Sequence, residues 1–173
     1  RLCIAVLPLV RRQLDARIRQ IEAQLAQIDA AMSDRVEKDE RMARRRDILV
    51  SIPGIGEATA LAMLVEMPEL GTLGAKRAAS LAGLAPMTRQ SGKWRGKEHI
   101  RGGRPMLRRA VYMPALVATR CNPAMKRTYE RLIGEGKPAK LALTAVMRKL
   151  VILANALVRE NRPWQPTRPV KSP

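Results

Sequence analysis

Early in the chain the apolar positions keep a strict spacing. Leu14, Ile18, Ile21, Leu25, Ile28 and Met32 recur at alternating intervals of four and three, the a/d seam of a heptad repeat, with Arg, Gln and Glu between them. So narrow a seam suits a partner helix. An amphipathic helix lying on its own domain is the alternative, and the strict alternation favours dimerisation through a coiled coil. Residues 33–47 are dense in charge and either continue this helix or break it into a hinge. From Ile48 the pattern changes. Apolar residues run into Pro53-Gly54-Ile55-Gly56, and Ala and Leu then return at helical spacing as far as Glu66, which predicts helix, tight turn, helix. Further helical periods cover residues 75–82, closed by Gly83, then about 104–120, about 123–133, and 138–160 after a Gly134-Glu135-Gly136 break. Pro105 is tolerated in a first helical turn. Between these, residues 85–103 hold four glycines and no helical period. They read as a long loop, and loops of that length in compact domains are mostly functional. The expected fold is all-α, in three parts: a coiled-coil linker helix over 1–47, a compact domain over 48–164 with a helix-hairpin-helix motif, and a loose tail over 165–173.

Composition narrows the partner. The 173 residues carry 33 Lys+Arg against 15 Asp+Glu, a formal charge of +18. Hydrophobic residues make up 46%, so a core is affordable, yet aromatics are 2% and Phe is absent, leaving Leu, Ala, Val, Ile and Met to pack as helices. Such a basic globular chain seeks a polyanion: nucleic acid first, an anionic membrane surface second. The charge is localised. Residues 86–109 hold eight basic and one acidic residue, as do residues 137–173, whereas 11–47 are nearly balanced at ten and eight. The apolar run over 141–158 is interrupted by Arg148 and Lys149 and does not read as a membrane span. Cys3 and Cys121 lack ligand spacing and fit a reduced cytosolic setting. His99, the single histidine, excludes a His-rich zinc site or a His-paired triad within this chain. Residue 1 is Arg, and the apolar stretch over 2–10 lacks a small-residue cleavage site, so the chain reads as a piece of something longer.

Two segments could carry chemistry. The glycines of the Ile52-Pro53-Gly54-Ile55-Gly56 turn would let a phosphate approach the amides of Gly54 and Gly56 at the start of the next helix. An ordinary helical corner has the same outline, and the tight spacing favours the phosphate. In the long loop, Ser91-Gly92 is surrounded by Arg89, Lys93, Arg95 and Lys97, with Arg101, Arg104 and Arg108 following. These cations are the candidate DNA contacts. A serine needs a base or metal to take its proton and cations to stabilise charge at phosphorus. The cations are here and no base is evident, so on residue type alone Ser91 is a turn residue. Trp94 could stack on a base or anchor the loop. Tyr112 and Tyr129 read as core or boundary positions, and Gly134–Lys137 lacks the spacing of a phosphate loop.

Taken in order, Ile-Pro-Gly-Ile-Gly, Ala-Gly-Leu-Ala-Pro, Ser-Gly, Gly-Lys, Ile-Arg-Gly-Gly, Leu-Arg, Gly-Lys-Pro and Val-Met-Arg-Lys-Leu resemble the C-terminal domain of a bacterial insertion-sequence transposase family. These are the DEDD-type transposases, relatives of the Piv-type DNA invertases and known as bridge-RNA-guided recombinases. The resemblance covers about 48–164. It implies that Ser91 is the nucleophile for a DNA phosphodiester, and that residues 14–32 correspond to the linking coiled coil. It also implies an acidic RuvC-like domain, outside this chain, whose carboxylates hold Mg²⁺. This chain would then bind no metal or cofactor itself and be inactive in recombination alone. The implied partners are DNA and a guide RNA in the bacterial cytoplasm; the heptad seam adds a second copy, and the clustering of basic residues in the glycine-rich loop disfavours a membrane surface. One departure stands out: Arg104 occupies a position where many relatives carry Asn. The competing reading is a non-catalytic helix-hairpin-helix module that binds DNA or RNA, with Ser91 merely structural.

Overall fold

The computed structural model describes residues 8–88, 90–91, 94–95 and 99–166. They form two compact units, divided between Ala43 and Arg44. The first is built on α1 (Pro8–Glu37), a helix of 30 residues. The charge-dense stretch after it breaks. α1 stops at Glu37, and the Asp39 carboxylate accepts hydrogen bonds from the amides of Arg41 (3.0 Å) and Met42 (3.1 Å), capping α2 (Glu40–Val50). Asp is among the preferred residues for this task, because its short side chain reaches amides that no helical carbonyl can serve.

The second unit contains most of α2, then α3 (Glu57–Glu66), α4 (Ala75–Leu81), α5 (Pro105–Ala110), α6 (Tyr112–Cys121), α7 (Pro123–Gly134) and α8 (Ala139–Arg159). Among the described residues the strands are four of two residues each, between α4 and α5, and the fold is all-α. The helix expected over 104–120 is two helices meeting at Val111. Pro114 is the reason: it has no amide to bond to the Ala110 carbonyl, and its ring crowds that carbonyl.

The core lies around α8, which packs on α4, α6 and α7. Its apolar stripe includes Ala142, Leu143, Val146, Met147, Leu150, Val151, Ala154 and Leu157, all buried. Each large aliphatic side chain so buried contributes about 1.5–3 kcal/mol, which lets a core without Phe hold together. By length and composition α8 could cross a membrane, yet half of its most apolar stretch is buried inside the domain. One polar residue interrupts the stripe. Asn155, 2% exposed, accepts from the Gly71 amide (2.8 Å) and donates to the Leu73 carbonyl (2.7 Å), tying α8 to the turn before α4. Asn122 is also buried and caps α7 by accepting from the amides of Ala124 (3.1 Å) and Met125 (3.4 Å).

Candidate nucleic-acid interface

In the segment expected to be a loop, the described residues form two short antiparallel ladders of a narrow β-ribbon. β1 (Pro86–Met87) pairs antiparallel with β4 (His99–Ile100), and β2 (Gln90–Ser91) with β3 (Trp94–Arg95). The register sets Pro86 opposite Ile100, Met87 opposite His99, Gln90 opposite Arg95 and Ser91 opposite Trp94. Ser91 and Trp94 therefore sit across from each other on the inner ladder. Of the basic candidates, Arg89, Lys93 and Lys97 lie outside the described residues, and Arg95 is described as a backbone partner of Gln90.

The root of the ribbon shows why its glycines are where they are. Gly83 (φ +67°) and Gly103 (φ +66°) touch backbone to backbone. A β-carbon on Gly103 would overlap the Gly83 backbone and stand 2.7 Å from the Leu81 carbonyl oxygen. The Arg104 amide then donates to that same carbonyl (2.8 Å). Two of the motifs noted in the sequence, Ala-Gly-Leu-Ala-Pro and Ile-Arg-Gly-Gly, thus meet at one point and hold the ribbon's two ends together.

Two of the candidate DNA contacts serve this root. Arg104 grips Glu69 through both guanidinium ends, Nη2 to Oε1 at 2.6 Å and Nη1 to Oε2 at 3.0 Å, and also donates to the Glu66 carbonyl. That hydrogen bond from Arg104 is the main reason the Glu69 carboxyl is held below its usual value of 4.5. Arg108 donates to the carbonyls of Gly102 (2.9 Å) and Gly83 (3.3 Å), bridging the glycine contact. Arg101, by contrast, is exposed, as is Arg109 on α5.

The turn between α2 and α3 separates the roles of its glycines. Gly54 has φ +104°, and a β-carbon there would stand 2.8 Å from both the Ala118 β-carbon and the Pro114 carbonyl oxygen, so this glycine lets α6 come close. Gly56 is exposed, with nothing within 4 Å of where its β-carbon would be. It caps α3 without a side chain, leaving the first amides of that helix open to an anion. Glu57 stands in that first turn, 3.8 Å from Arg46, and competes for the same positive end. The turn is further tied down by Ser51, whose hydroxyl donates to the Ile48 carbonyl (2.6 Å) and accepts from the Trp164 amide (2.8 Å).

On α1 the six seam residues are all exposed, from 36% at Met32 to 56% at Leu14 and Ile28. Tyr112 is 45% exposed, and Tyr129 is half-buried. Among the described residues no group of three or more His, Cys, Asp or Glu could hold a metal ion. Sequence reasoning passed over Glu69, Pro114 and Asn155. Pro114 was legible as a proline inside a helical period, and Asn155 as the one amide in an apolar stripe. Glu69 carries no local signal, because its partner is 35 residues away.

Residues 46–130 match the profile of the Transposase IS116/IS110/IS902 family. The pilin gene-inverting protein of Moraxella bovis is 38% identical over 124 residues, which is 69% of this chain and 38% of that protein. A 43.6 kDa protein of insertion element IS110 from Streptomyces coelicolor is 36% identical over 116 residues, 65% of this chain and 28% of that protein. A 42 kDa protein of insertion element IS900 from Mycobacterium paratuberculosis is 33% identical over 137 residues, 76% of this chain and 34% of that protein. The chain thus spans less than two fifths of each of these relatives. With its motif order and matches of this extent, the chain belongs to the IS116/IS110/IS902 transposase family.

Proposed function

We propose that this chain is the DNA-gripping, serine-bearing part of a transposase that cuts and exchanges strands when an insertion sequence moves. The observation that carries the reading is the placement of Ser91 on a ribbon whose two ends are clamped to the helical body, in a segment with eight basic residues and one acidic one. A serine in so basic a stretch of sequence, on a segment anchored at its root, supplies the nucleophile and the cations that attack on a phosphodiester requires. Ser91 Oγ bonds to phosphorus, the P–O3′ bond breaks, and the departing oxygen takes a proton to become a free 3′-hydroxyl. The product is a phosphoserine ester on the 5′ end. One diester replaces another, so the bond energy is kept for religation to a new strand. The hydroxyl's proton goes to a group outside this chain.

DNA is held mainly through phosphates, by the ribbon cations with Arg101 exposed at its base, and by the open amides of α3 behind Gly56. A guide RNA would use the same phosphate chemistry. The exposed α1 seam pairs with the same helix of a second copy.

The test joins this chain to an acidic RuvC-like domain and traps the reaction on a nicked substrate. A covalent protein–DNA adduct mapping to the peptide with Ser91, and lost in Ser91→Ala while DNA binding is retained, is the expected result. Normal recombination by Ser91→Ala would leave the non-catalytic binding module as the correct reading.

A further inference from the structure

At the foot of the ribbon, between the β1–β4 ladder and the first half of α8, lies a groove of about 480 Å³. Sites for small organic groups span roughly 300–1,000 Å³. Leu84, Pro86 and Ile100 form one wall; Leu141 and Ala145 face them from α8. Leu141 is 50% exposed and Ile100 38%, so this apolar surface is open to water.

The groove's charged side chains are of one sign, and Thr144 adds a hydroxyl to its lining. Lys140 and Arg148 lie on its α8 side, and His99 on the ribbon side. No carboxylate is among the described residues that line it, and neither cation has a carboxylate partner among the described residues. Arg148 lies eight positions along the helix from Lys140, about 12 Å along the axis at 1.5 Å per residue. An apolar trough with a cation toward each end, and an imidazole able to lie flat on or hydrogen-bond to a ring, has the chemistry of a nucleobase site with room for flanking phosphates. Inside a duplex the bases are stacked and cannot enter such a trough; an unpaired one can.

We infer that the groove takes an unpaired nucleobase of the nucleic acid the ribbon holds, with the neighbouring phosphates on Lys140 and Arg148. This rests on the nucleic-acid reading above and adds to it a preference for locally single-stranded substrate.

The test titrates the whole chain with labelled short single strands, DNA and RNA, each intact and abasic, and with the matching duplex. The intact strand should bind about tenfold more tightly than the abasic strand. Leu141→Trp, which fills the groove from a half-exposed position, should erase that difference and leave duplex affinity unchanged; Ile100→Trp does the same from the opposite wall, so the test survives misfolding of one variant. Arg148→Gln should weaken intact and abasic strands alike and lower the salt slope by about one. A base-dependent preference in either the DNA or the RNA arm supports the assignment and says which strand enters. Equal binding of intact and abasic strands, or a preference surviving both tryptophan variants, overturns it while salt-dependent duplex binding keeps the broader reading. Absence of any salt-dependent binding overturns both. If the tryptophan variants instead abolish capture of an apolar helical peptide and leave nucleic-acid binding untouched, the groove docks protein and the assignment is wrong.

Discussion

Glycines in this domain divide into those that shape the fold and those that leave a surface open. At Gly103 both a positive φ and the Gly83 backbone exclude a side chain, so Gly103→Ala should cost on the order of 2 kcal/mol or more, read from the urea midpoint. Gly56, at φ −91° and facing empty space, should accept alanine within about 0.5 kcal/mol; weaker nucleic-acid binding by Gly56→Ala at unchanged stability would report on the α3 amides alone. Glu69 gives a pH signature. Its folded carboxyl sits below 4.5, so the Arg104 pair contributes fully above the unfolded value and is lost as pH falls through the folded one. Melting temperature should therefore drop more steeply below about pH 4.5 in wild type than in Glu69→Gln. Equal slopes would mean that the pair is mere surface decoration. The motif glycines were visible in the chain, but their division of labour was not, because it depends on α6 and on the 102–104 turn arriving from far along the sequence.

Among the elements, the helices were legible wherever apolar residues kept a period, as in α4, α7 and α8. They were misjudged where one residue overrode the period, as Pro114 does between α5 and α6. The ribbon escaped prediction for a different reason. Two-residue strands have almost no alternation to read, and they pair because the glycine contact brings residues 86 and 100 together. The α1 seam makes its own prediction. Six apolar residues at 36–56% exposure form a stripe about 27 Å long at 1.5 Å per residue, more than an isolated helix tolerates comfortably in water. Light scattering should find a dimer or higher assembly, and Ile18→Lys with Leu25→Lys should return it to monomer without changing the melting of the unit from Arg44 onward. A wild-type monomer at micromolar concentration would refute coiled-coil pairing.

For the whole molecule the dominant quantity is charge. A net +18 distributed in blocks should make nucleic-acid binding steeply salt-dependent. If about six phosphates are neutralised, log K falls by about 5 for each tenfold rise in salt, and a slope near zero would remove phosphate gripping as the basis of function. Arg104 and Arg108 should contribute little to that slope, since Glu69 and the carbonyls of Gly83 and Gly102 already engage them. Net charge was plain from composition alone. Which cations are free to meet a polyanion was not, since that depends on partners such as Glu69, 35 residues from Arg104.

The meeting of Gly83 with Gly103 has one more consequence. Because the chain leaves α4 and returns to α5 at a single fastened point, the positions on either side of it are held together by backbone, independently of the side chains farther out.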